Sequence, residues 1–136
     1  MKQTQGHVKA TLETLVELEQ YLLPLIDDQD EETQGMIRLV LQELATNIVL
    51  HAYLRQLGDI DVLFSRDGNQ LHLQLRDYAQ VKFTRTGPAS LPDPNSLPQG
   101  GWGLFIIHQG VDQVDYEALQ DGNRWTLHKT FTGGNK

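Results

Sequence analysis

Apolar residues recur at helical spacing along the first quarter of the chain. Leu12, Leu15, Val16, Leu18, Leu22, Leu23 and Ile26 fall on one side of a predicted helix, and Pro24 predicts that it ends or bends there. A short strand is predicted ahead of it, near His7 to Ala10. A second helix, capped by Asp30 or Thr33, runs to about Arg55, and Gly58 marks its stop. The period then changes to two. Ile60, Val62 and Phe64 alternate with polar residues, Asp67-Gly68-Asn69 predicts a hairpin turn, and Leu71, Leu73 and Leu75 alternate with His72, Gln74 and Arg76. Regularity breaks down over residues 82–99, where Gly87, Pro88, Pro92, Pro94 and Pro98 predict a loop of functional length. Residues 103–110 read as a short helix. Val114, Tyr116 and Ala118 make another strand, Asp121-Gly122-Asn123 a turn, and Trp125, Leu127, Lys129 and Phe131 alternate with Thr126, His128 and Thr130 in a last strand. The order of elements predicts an α+β two-layer sandwich, with helices on one face of a mostly antiparallel sheet.

Composition narrows the function. The 136 residues suit one domain with a real core, and 39% of them are hydrophobic. No apolar run approaches the roughly 20 residues that cross a bilayer, and no signal-like leader opens the chain, so a cytoplasmic protein without membrane contact is expected. The absence of cysteine excludes disulfides, thiol catalysis and thiolate zinc sites. A net charge of −7 without a basic stripe argues against nucleic acid. The acidic run at residues 27–32 reads as a solvated loop and helix start.

The candidate chemistry lies in three segments. Glu43, Asn47 and His51 stand four apart on the second helix, and steps of four return to one helical face. Leu41, Leu44, Ile48 and Val49 surround them, so the helix is expected to be largely buried. An amide and a carboxylate buried there cost several kcal/mol without partners. The stripe therefore meets internal hydrogen bonds or lines a site. Asp77 closes the second alternating strand. Gly100, Gly101 and Gly103 open the short apolar helix Leu104-Phe105-Ile106-Ile107, and backbone N–H groups at such a start bind anions.

In this order the three segments resemble the ATP-binding boxes of the GHKL superfamily, which includes gyrase and the histidine kinases. Within it they look most like the anti-sigma-factor serine/threonine kinases of the RsbW type. The resemblance covers residues 11–129 and implies the Bergerat ATP-binding fold, with ATP and Mg²⁺ as cofactors. It implies that Asn47 holds Mg²⁺ through its amide oxygen, which suits a cation that takes few protein ligands. Glu43 would orient or deprotonate the attacking hydroxyl. Asp77 would accept from the adenine amino group, and Gly101, Gly103 and Leu104 would bring backbone N–H groups to the phosphates. His51 would touch phosphate or hold the helix end, and Thr126 would add a hydroxyl to the adenine pocket. The implied partners are a STAS-domain anti-sigma-factor antagonist, phosphorylated on serine, and a sigma factor or similar regulator of transcription. A homodimer is also in keeping with the resemblance.

The middle box departs from the family. Where the family has Asp-x-Gly-x-Gly or Asp-x-Gly-x-Pro and then Phe, this chain has Asp77-Tyr78-Ala79-Gln80-Val81-Lys82-Phe83. If Ala79 must take positive φ, it is strained by roughly 1 kcal/mol or more, and Val81 adds branched bulk. The last turn has Gly122-Asn123 where the family often has Gly-Thr. Two readings follow: an active kinase, which the intact first and third boxes favour, or a nucleotide-impaired module that sequesters a partner without catalysis, which the altered middle box favours.

Overall fold

The computed structural model describes residues 1–54, 56–81 and 101–132, with backbone only for 101–105. Strands β1 (Lys2–Lys9), β2 (Asp59–Asp67), β3 (Gln70–Asp77), β4 (Gln113–Leu119) and β5 (Gly122–Thr130) form one sheet in the order β1-β2-β3-β5-β4, each neighbour antiparallel. Helices α1 (Thr14–Ile26), α2 (Glu31–Asn47) and α3 (Gly101–Gly110) complete it. Alternation decides which face of each strand is buried. Ile60, Val62 and Phe64 of β2, Leu71, Leu73 and Leu75 of β3, and Trp125 and Leu127 of β5 all turn inward. They meet Leu18, Leu22 and Leu25 of α1 and Ile37, Val40, Leu41 and Leu44 of α2 in a single core. The predicted α+β sandwich is what forms. The predicted loop at residues 82–99 lies outside the described residues.

Three local expectations change, and the choice of helix cap is decided. The first strand is longer than its sequence suggests, because only Val8 of β1 is buried and the rest of the pattern is polar. Full register against β2, from Lys2↔Arg66 to Lys9↔Asp59, makes it a strand. Pro24 sits inside the last turn of α1, which continues to Ile26. Asp30, not Thr33, caps α2, its carboxylate accepting from the Thr33 N–H at 2.8 Å. Gly58 does not end the second helix. The α-helix gives way after Asn47 to a π-turn, Ile48–Ala52. The Tyr53 N–H reaches back five residues to the Ile48 carbonyl at 2.9 Å, and Leu54 stops the chain with φ 54°. Gly58 instead makes room for the Tyr53 ring, into which a Cβ at that position would collide.

The second hairpin also differs. β5 already begins at Gly122, so Asn123 is a strand residue opposite Asp77 and not part of the turn.

Candidate functional site

The buried polar residues Asp77, Asn123 and Asn47 frame the candidate site. Asp77 shares the inward face of β3 with Leu71, Leu73 and Leu75, and at 0% exposure its carboxylate lies fully inside. A buried charge survives only with hydrogen-bond donors. The Ala79 N–H donates to Oδ1 of Asp77 at 3.0 Å, and Nδ2 of Asn123 donates to the same oxygen at 2.9 Å. Asn123 is itself fully buried. Its Nδ2 also donates to the Val81 carbonyl at 2.9 Å, and its Oδ1 accepts from the Tyr116 hydroxyl. Gly122 lets the strands close this tightly, since a Cβ there would strike the Asp77 carbonyl oxygen.

Tyr53 joins the helix end to this cluster. Its hydroxyl donates to the Asp59 carbonyl at 2.6 Å and accepts from the Tyr78 N–H at 2.7 Å. Burial pushes the phenol pKa up, against the backbone N–H groups of Tyr78 and Asp59, which lower it. Tyr53 therefore keeps its proton at neutral pH. Tyr78 turns outward, its hydroxyl on Asp61 and its ring under the Arg76 guanidinium at 4.2 Å. The Asp61 hydrogen bond raises the Tyr78 pKa and lowers that of Asp61.

Asn47 is buried too, at 7% exposure. Among the described residues, none hydrogen-bonds its side-chain amide. It stands where α2 becomes the π-turn, and single π-turns inside α-helices recur at functional sites. Glu43, one α-turn earlier, is half-buried. His51 lies within the π-turn and is exposed. The wider turn changes the angular spacing, so the three-residue stripe becomes a pair, Glu43 and Asn47, with His51 outside it.

The remaining predicted residues separate. Gly101, Gly103 and Leu104 form the first turn of α3, which packs against α2. Thr126 lies on the opposite face of the sheet from Asp77, between Gln74 and Asp115 in register. The residue of β5 that reaches Asp77 is Asn123. Sequence parity carried that signal, because Asn123, Trp125 and Leu127 alternate on the inward face. The strain expected at Ala79 does not arise. Leu54 is the one non-glycine residue with positive φ among the described residues, and Ala79 is buried at ordinary φ. Val81 points outward at 40% exposure.

The donor set fits a magnesium nucleotide. Asn47 offers an unspent amide oxygen, and Mg²⁺ takes one or two protein oxygens with phosphates and water for the rest. No cluster of three His, Asp or Glu side chains suited to a metal occurs among the described residues, and none is needed for a cation held this way. No helix of the described residues is long and apolar enough to cross a membrane.

Residues 6–129 match the histidine kinase-like ATPase domain. A serine-protein kinase RsbW of Bacillus cereus (strain AH820) is 31% identical over 85 residues, which cover 57% of this chain and 52% of that protein. The same kinase from Bacillus mycoides (strain KBAB4) is 28% identical over 85 residues, with the same coverage. The chain thus spans about half the length of the curated relatives it matches. Its fold is like that of the histidine kinase domain of the Erythrobacter litoralis EL346 blue-light activated histidine kinase. That likeness has a TM-score of 0.54 and 18% identity, and covers 89% of this chain and 62% of the other. The match over residues 6–129 leads to one conclusion: the chain belongs to the histidine kinase-like ATPase domain family.

Proposed function

We propose that this protein is an ATP-dependent serine/threonine protein kinase of the anti-sigma-factor type, which phosphorylates a serine of a STAS-domain antagonist and otherwise holds a sigma factor or similar regulator. The observation that carries the reading is Asn47, an amide buried at 7% exposure whose side chain meets no hydrogen-bond partner among the described residues, one turn after Glu43. The relatives named serine-protein kinase RsbW support the reaction type.

In this reading Asp77 accepts from the adenine amino group. An ionised carboxylate only accepts, so it selects an amino group over a carbonyl. Asn47 holds Mg²⁺, which when bound neutralises phosphate charge. The backbone N–H groups of Gly101, Gly103 and Leu104 at the start of α3 would take the phosphates. Glu43 orients the incoming serine hydroxyl and takes its proton, so the chain's contribution is placement and a local base. His51, exposed on the π-turn, is left as a residue that meets phosphate or partner from outside.

The test is binding followed by transfer. Ligand at about 100 times its dissociation constant adds roughly 2.7 kcal/mol of stability, so Mg·ATP should raise the melting temperature of the wild type clearly. Asn47→Ala should abolish that shift with its own fold retained. Glu43→Gln should keep the shift and lose transfer of labelled γ-phosphate to a STAS-domain acceptor. No shift in the wild type at millimolar Mg·ATP would favour the sequestering module instead.

A further inference from the structure

We infer that Asn123, fixed by Tyr116, is the positioning residue that sets Asp77 for discrimination between adenine and guanine and closes the turn at residues 78–81 in place of glycine. This rests on the nucleotide-binding reading above.

The hydrogen-bond inventory makes the case. A primary amide has two N–H donors and one acceptor oxygen. Both N–H groups of Asn123 are spent, on Asp77 Oδ1 and on the Val81 carbonyl, and its oxygen accepts from Tyr116. The alternative amide orientation would set the Asn123 oxygen against a carboxylate and a carbonyl, so its partners dictate the assignment. With its donors committed to the protein, Asn123 acts through Asp77. It holds one carboxylate oxygen together with the Ala79 N–H, and so fixes the plane of the group. By tying Val81 to β5 it also anchors a turn whose residues are not glycine. Ala79 stays buried and the Val81 side chain stays outside.

The consequence is a specificity device. A buried carboxylate that loses a donor tends toward its neutral acid. A neutral acid can donate to the guanine carbonyl, and the discrimination that depends on an acceptor-only group fades. The other charged or titratable groups near this turn are Tyr78 within it, Tyr53 just past the π-turn, Tyr116 from β4, Asp59 and Asp61 from β2, and Arg76, whose Nε donates to the Asp77 carbonyl at 3.3 Å and which pairs with Asp121. None of them replaces the Asn123 donor.

The experiment measures dissociation constants for Mg·ATP and Mg·GTP by calorimetry, with melting temperatures of the free proteins, for wild type, Asn123→Ala and Tyr116→Phe. The wild type should prefer ATP. Asn123→Ala should narrow the ATP to GTP ratio by about tenfold, the equivalent of one hydrogen bond. Tyr116→Phe keeps both Asn123 N–H bonds but strands its buried oxygen, so it should narrow the ratio by about threefold and lower the melting temperature. It serves as the decisive variant if Asn123→Ala does not fold. A lower melting temperature with an unchanged ratio would overturn the inference while the nucleotide reading stands. Failure of the wild type to bind either nucleotide would overturn both.

Discussion

Leu54 ends the helix that carries Asn47, and it does so at φ 54° with 59% of its surface exposed. A left-handed conformation costs an L-residue about 1–2 kcal/mol because Cβ crowds the following carbonyl. Glycine is free of that cost, but loses about 0.4–1 kcal/mol relative to alanine through its larger unfolded-state entropy. Leu54→Ala and Leu54→Gly both remove the leucine contacts. Their difference therefore isolates the backbone term. The expected balance is that Leu54→Gly is more stable than Leu54→Ala by about 0.5–1 kcal/mol, the reverse of their usual order. For a domain of this size the gap is roughly 2–4 °C in melting temperature. Urea denaturation of both variants, followed by circular dichroism, measures it. An alanine variant as stable as the glycine variant, or more so, would refute the strained stop and with it the account of how the π-turn is terminated.

Arg66 offers a test of the far end of the sandwich. Its guanidinium is buried, donates to the Leu25 and Gly68 carbonyls at 2.9 and 2.8 Å and to Asp28, and lies 4.5 Å over the Phe131 ring. Arg66→Met keeps the stem but strands the Leu25 carbonyl, and should cost about 2–3 kcal/mol in urea titrations. Asp28→Asn touches a half-exposed partner and should cost under about 1 kcal/mol; equal losses would contradict the clamp. His7 should report pH. Its hydrogen bonds to Asp61 and Asp59 raise its pKa in the folded state. The stabilisation they give is therefore complete below the unfolded histidine pKa and disappears as pH climbs through the raised value. The melting-temperature gap between wild type and His7→Gln should be larger at pH 5.5 than at pH 8.5, and a gap independent of pH would remove the pair from the stability of the β1–β2 edge.

The alternation at Ile60–Phe64 and Leu71–Leu75 predicts both strands and their buried faces because side chains on a strand must alternate. The glycine-opened helix and the two long helices are likewise local patterns. The capping carboxylate of Asp30 needs only its neighbours. β1 leaves little local signal, because an edge strand with one buried residue owes its existence to partners 50 to 64 positions away. Thr126 falls on the outer face, because the alternation through Trp125 turns it there, whatever its residue type suggests.

What the chain determines alone is therefore period, capping and the identity of the polar residues that break an apolar face: Glu43, Asn47, Asp77. Only the tertiary structure decides that α2 widens into a π-turn after Asn47, that His51 leaves the stripe, and that Asn123 stands opposite Asp77. A five-residue helical reach leaves no trace in a 3.6-residue hydrophobic period. Cross-strand register depends on where two distant hairpins meet in one sheet, a meeting set by the packing of the shared core.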